Sequence, residues 1–221
     1  MAVEPGSGAE QVRAQARCAQ ILTAAADCFR LHGFHGASIA QISKRAGMSA
    51  GHIYHYFENK EAIIAAIVEQ NLERFLSVSA EMRSSANVRD AMIGCAAEGV
   101  RDNLDPMTAA LEIEIAAEAA RNPGVAAIVR AADREVRDSL IETLRIVRRA
   151  AGRDDDEATL RGIVEVLAAM FEGLLCRGIR NPDIDQELVV DMFQRVIFHL
   201  VTAPLATAPA CPDQARSNSQ D

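Results

Sequence analysis

The chain has 221 residues and a formal charge of −8, from 23 Lys+Arg against 31 Asp+Glu. With 49% hydrophobic and 24% charged residues, its composition excludes a disordered or collagen-like chain and fits one or two globular domains with a sizeable core. Taken whole, the acidic total weighs against a polyanion such as DNA as partner.

Ala is abundant, apolar residues recur at steps of three and four, and strand-like alternation is missing, so an all-α fold of about nine helices is predicted. The first helix runs from Glu10 to Leu31 and closes at His32-Gly33. Ser38-Ile39-Ala40-Gln41 is a capping box for a short second helix that stops at Gly47. Ser49 caps a third, to about Phe57, and Asn59 a long fourth, to about Met82. Further starts are read at Ser84–Asn87, Asp105-Pro106, Asn122-Pro123, the acidic run Asp154–Asp156 and Asn181-Pro182-Asp183, with the last helix ending before Pro204. The expected division is a disordered stretch 1–9, a helix-turn-helix domain 10–58, a ligand-binding and dimerisation domain 59–203, and a flexible tail 204–221.

Five dispersed cysteines without C-x-x-C spacing read as reduced thiols. Residues 1–9 lack the basic-then-apolar order of a signal peptide, and no run of ~18 apolar residues occurs, so a cytoplasmic protein is expected. Cys28 with His32-x-x-His35, and His52-x-x-His55, only superficially have metal-ligand spacing, and no metal or cofactor is expected. No nucleophile elbow, phosphate loop or acid/base pair is visible, so no catalytic residue is assigned. Asp154–Asp156 reads as a solvated cap, and Arg148-Arg149 with Arg153 as a helix C-terminal charge cluster.

Residues 17–60 have the order of a helix-turn-helix, with Gly47 supplying the positive φ of the tight turn. Ile39, Ile42, Ile53 and Phe57 are spaced to form a core with Ile21, Leu22 and Phe29. The third helix would then expose Ala50, Gly51, His52, Tyr54, His55 and Tyr56. Small Ala50 and Gly51 permit close approach to base edges, and His52 can hydrogen-bond bases in the major groove. Tyr54 and His55 can donate to phosphates, and Ser38, Ser49 and Lys60 mark helix starts where phosphate is favoured. The charge is also partitioned: 17–60 carries +3 and 1–16 carries −1, which leaves −10 for 61–221. The acid lies away from the segment assigned to DNA.

These residues carry a resemblance. The runs Ile21-Leu22 to Phe29, Gly33-Phe34, Ser38 to Ile42, Ala46-Gly47-Met48-Ser49 and Gly51 to Ile63 resemble the tetracycline-repressor (TetR) family over the first third of the chain. The ending Tyr54-x-x-Phe57-x-x-Lys60-Glu61 behind an Ala-Gly-x-Ser turn is the specific part. The resemblance implies a dimeric, ligand-controlled transcriptional regulator, usually a repressor, in which Tyr54, His55 and Lys60 touch phosphate. His52 departs from the small polar residue that many members carry, which bears on base preference.

Two apolar helices near the end are expected to dimerise as a four-helix bundle, through Leu160, Ile163, Leu167, Phe171, Leu174, Val189, Phe193 and Ile197. The sensor pocket is expected within 87–180, lined by Met92, Met107, Leu111, Glu114, Glu118, Met170 and Phe171. Glu114 and Glu118 on an apolar stripe suit an apolar, cationic effector, or else ion pairs with Arg101, Arg121, Arg130 or Arg134. The expected function is a ligand-responsive repressor on palindromic operator DNA. A helical interaction module or an enzyme without DNA binding is the alternative.

Overall fold

A computed structural model describes residues 6–204. Residues 1–5 and 205–221, which hold much of the expected N-terminal stretch and tail, lie outside the described residues. Within them the chain forms nine helices: α1 (Gly6–Gly36), α2 (Ile39–Ala46), α3 (Ala50–Tyr56), α4 (Lys60–Ser84), α5 (Val88–Leu104), α6 (Pro106–Ala119), α7 (Pro123–Ala150), α8 (Glu157–Arg180) and α9 (Gln186–Thr202).

Local chemistry sets the boundaries. Ser38, Ser49, Asn59, Asn87, Asp105, Asn122, Asp156 and Asp185 each accept a backbone N–H of the first turn behind them, so every helix from α2 to α9 begins on a side-chain cap. Ser38 and Gln41 complete the capping box in both directions. Gly47 ends α2 in the left-handed region at φ 64°. The last helix is capped by Asp185, just behind the Asn181-Pro182-Asp183 break expected to precede it.

One hydrophobic cluster joins α1, α2, α3 and the first half of α4 to Leu111 and Ile115 of α6 and Val125 of α7. A second fills the space among α4, α5, α7, α8 and α9, around Leu144, Val164 and Val201. A third joins Val100, Leu104, Leu174 and Val190. Arg148, expected in a charge cluster at a helix C-terminus, is 1% exposed. Its Nη2 donates to Asp155 Oδ1 at 2.8 Å and its Nε to Asp155 Oδ2, while Nη1 donates to the carbonyls of Leu200 and Ala203 at 2.8 and 3.0 Å. It ties the end of α7 to the end of α9, and the charge of the guanidinium holds the Asp155 carboxyl below the usual range, chiefly through their hydrogen bond.

The C-terminal corner of α1 is the junction of three helices. Gly33 interrupts the helical backbone at φ 70°, ψ 166°, a conformation essentially confined to glycine. The turn turns the Phe34 N–H outward to Glu114 Oε1 of α6, at 2.6 Å. From the other side Lys60 Nζ, at the start of α4, donates to the carbonyls of Phe34 and Ala37 at 2.6 and 2.8 Å. It also lies 4.4 Å from the Phe34 ring centroid. Two of the three Lys60 donors are thus used inside the protein, which leaves one for a phosphate. A Cβ at Gly33 would sit 3.2 Å from Glu114 Oε1. Gly33→Ala is therefore expected to lower stability by about 1–3 kcal/mol. Lys60→Met is expected to cost about 2 kcal/mol, since two carbonyls lose a charged donor. Urea unfolding measures both, and midpoints equal to wild type would contradict the corner's role.

Candidate nucleic-acid interface

Helix α3 is held by Ile53, 0% exposed, and by Phe57 just behind it, both in the first cluster. Their inward direction leaves Gly51, His52, Tyr54 and His55 exposed, with Ala50 and Tyr56 half-buried. Ser49 Oγ accepts the His52 N–H at 3.2 Å, which fixes the first turn of this short helix. The imidazole of His52 stands edge-on to Tyr56 at 5.3 Å, and that of His55 edge-on to Tyr56 at 5.1 Å. Tyr56 thus steadies both imidazoles, a role its sequence position did not reveal. Ser38 lies exposed at the start of α2 on the same three-helix unit. Its Oγ accepts the Gln41 N–H at 3.2 Å. The structure therefore gathers Ser38, Ser49, Ala50, Gly51, His52, Tyr54 and His55 on the α2–α3 unit, and turns Lys60 inward.

The residues expected to form the dimer face are not on one free surface. Leu160, Ile163, Leu167, Leu174 and Ile197 are at most 4% exposed and belong to the protomer's own core. Phe171, Val189 and Phe193 are half-buried against that core, with the Phe171 and Phe193 rings 5.4 Å apart. The exposed apolar side chains of these helices are others: Val166 and Ile179 on α8, and Leu188, Met192, Val196 and Phe198 on α9, all more than 40% exposed, with Leu188, Met192 and Val196 in one line at steps of four. Gly162, Ala169 and Gly173 flank Val166 at helical spacing. Helix α9 carries apolar stripes on two sides, and packing against α5 decides which is inside.

The seven residues expected to line the sensor pocket also separate. Met92 lies in the second cluster and Leu111 in the first, while Met107 is 51% exposed. Met170 and Phe171 are half-buried on α8. Glu114 is engaged at the α1 corner, and Glu118, 1% exposed, lies beneath it. Its Oε2 is 3.0 Å from His35 Nε2 and 3.6 Å from Arg121, and its Oε1 accepts from Asn122 Nδ2 at 3.1 Å. The two acids thus serve the contact between α6 and α1, and Arg121 is the one arginine of the four considered that approaches either of them. The acid turned to α4 is Glu112, which accepts from Asn71 Nδ2 at 2.9 Å. Burial holds its carboxyl above the usual range. It stands beside the stripe on which the sequence reading concentrated, where spacing gave no signal.

Among the described residues no helix is long and apolar enough to cross a membrane. Residues 21–67 match the profile of bacterial regulatory proteins of the tetR family, and residues 99–202 match the C-terminal profile of BetI-type transcriptional repressors. The chain is 38% identical over 120 residues to the HTH-type transcriptional regulator UidR of Escherichia coli K12, a match spanning 54% of this chain and 60% of that protein. Among solved structures, Salmonella enterica GusR superposes with TM-score 0.68 at 27% identity, covering 84% of this chain and 95% of GusR. The Bacillus subtilis transcriptional regulator FadR in complex with stearoyl-CoA superposes with TM-score 0.68 at 17% identity, covering 84% of this chain and 98% of that one, a likeness of fold alone. With both its N-terminal and C-terminal segments matching profiles of such regulators, the chain belongs to the TetR family.

Proposed function

We propose that the chain is a ligand-responsive transcriptional repressor that acts in the cytoplasm as a homodimer on palindromic operator DNA. The observation that carries this reading is α3 itself: an exposed Gly51-His52-x-Tyr54-His55 face held from behind by Ile53 and Phe57, after a left-handed Gly47. Ala50, Gly51 and His52 would read base edges, while Tyr54, His55 and the starts of α2 and α3 at Ser38 and Ser49 would meet phosphates. Two copies give half-sites roughly 34–36 Å apart or a multiple. The dimer would form through the exposed Val166, Leu188, Met192 and Val196 faces of α8 and α9.

The effector is a small molecule bound among α4, α6, α7 and α8. The stearoyl-CoA held by the structurally similar FadR supports small-molecule binding in this fold. Glu112 is the acid offered to a cationic group on such a molecule, in place of Glu114 and Glu118. Effector binding would shift the population toward a dimer whose two α3 helices no longer match successive major grooves.

Selection from a random duplex pool by the full chain is expected to enrich a palindrome, and failure to enrich any sequence would remove the regulator reading. On the selected duplex His52→Ala should change the preferred base at one position of each half-site. Tyr54→Phe should weaken binding to all sequences by about 1 kcal/mol per contact. Met192→Glu with Val196→Glu should give monomers in sedimentation, and an unchanged dimer would place the interface elsewhere.

For Glu112 the raised carboxyl pKa sets the sign. Below the unfolded-state value both folded and unfolded chains carry the proton. As pH rises through the higher folded-state value, the buried carboxylate ionises and the wild type loses stability. Glu112→Gln is therefore expected to match wild type in acid and melt higher at neutral pH. It should also lose the thermal shift produced by benzyltrimethylammonium as a cationic probe. Equal shifts in both proteins would take Glu112 out of the site.

A further inference from the structure

From residue 10 onward, the first fully buried side chain of α1 is Ile21. Residues 10–20 therefore extend the helix by about three turns beyond the core. Ala14 and Cys18 are half-buried and the rest of this stretch is exposed. A helix that covers so little apolar surface calls for another reason to persist in the fold.

Arg13, Arg17 and Gln20 follow one another at steps of four and three, so they form one line along α1. The line has a fixed direction. Gln20 Nε2 donates to the Ala46 carbonyl at 2.7 Å, at the end of α2 where the chain turns toward α3. Arg17 Nη1 in turn donates to Gln20 Oε1 at 3.0 Å, which uses one of its five N–H donors. Arg13 continues the line, its Cα about 10 Å beyond that of Gln20 at 1.5 Å per residue. Lys44, exposed on the last turn of α2, adds a cation at the same turn, whereas Arg45 is committed to Asp27 at 2.8 Å. Glu10 is the one acid of residues 10–20.

We infer that the N-terminal turns of α1 are a second DNA-contacting element, with Arg13 and Arg17 lying along phosphates that flank the half-site read by α3. The inference rests on the regulator reading above and adds residues that reading does not use. Charge selects the partner, since two planar guanidinium groups match phosphate oxygens bidentately. Position selects the segment of duplex, since the line leaves the protein from the turn that leads into the recognition helix. The arm would lengthen the footprint without reading base edges, so it should raise affinity for any flanking sequence equally.

The test uses the full chain and a palindrome enriched from a random pool, once trimmed to the palindrome and once with ten flanking base pairs on each side. On the long duplex, Arg13→Gln with Arg17→Gln is expected to weaken binding by about tenfold or more. The slope of log K against log salt should become shallower by about 3 to 4 for the four arginines of a dimer. On the trimmed duplex variant and wild type should bind alike. Arg130→Gln with Arg134→Gln removes the same charge from exposed positions on α7 and should leave both duplexes unaffected. Equal affinity and slope on the long duplex would overturn the inference, as would equal losses from the α7 pair, which would make the effect one of net charge. An unchanged melting temperature separates either result from misfolding. A wild-type chain that enriches no duplex overturns the regulator reading itself, an outcome distinct from failure of the arm alone.

Discussion

The corner at Gly33–Ala37 is the constraint on which the geometry of the reading head depends. A carboxylate from α6 accepts the N–H of Phe34, and an ammonium from α4 donates to the carbonyls of Phe34 and Ala37. Both contacts are charge-assisted, and they act on opposite sides of one peptide segment. A shift of α6 along its axis would pull on the Phe34 N–H, while a shift of α4 would pull on the Phe34 and Ala37 carbonyls. Either motion reaches α1 directly and, through the Gln20–Ala46 contact, the turn before α3. Glu118 and His35 give α6 a second hold on the same segment. If the effector binds among α4, α6, α7 and α8 as proposed, this corner would be the mechanical link between sensor and reading head.

How much of this could be read in advance follows from the range of the interactions involved. The helix starts were legible because a cap and its N–H lie within three residues of each other, as in Ser38–Gln41 and Asp105–Thr108. The reading head was legible for the same reason: Gly47, Ser49, Ile53 and Phe57 are neighbours in sequence. The roles of Glu114 and Lys60 were not, since their partners at the α1 corner are 80 and 26 residues away. Spacing placed Glu114 and Glu118 correctly on one face of α6. It could not say that this face meets α1 and not the interior of the sensor half. For α9 both faces are apolar, so periodicity identified two stripes and only packing separates the inner one, with Ile197 and Val201, from the outer one, with Met192 and Val196. Glu112 was missed because nothing in its local pattern distinguishes it from a solvated glutamate.

The distribution of charge fits the same division of labour. The negative total falls on 61–221, and the net positive segment 17–60 is the one that presents α3. Several acids of the larger part are held in pairs, such as Asp155 with Arg148, Glu165 with Arg137 and Glu187 with Arg101. Two others, Glu114 and Glu118, are spent on the α1 corner of the head. On a duplex, the acidic excess would favour approach by the head over approach by the end that carries the sensor.

Leu111, Ile115 and Val125 share a cluster with Ile21, Phe29 and Ile63. The three-helix head is thus finished by side chains from more than 40 residues further along the chain. Cut free after α4, it would present an apolar floor to water in place of that cover. Chimeras that graft this head onto a relative's sensor should fold only where the acceptor's α6 offers a matching apolar face and a carboxylate at the position of Glu114. By this shared packing the two halves of this chain are not independent cassettes. A change of side-chain volume at Leu111, Ile115 or Val125 would be felt by the packing beneath the recognition helix.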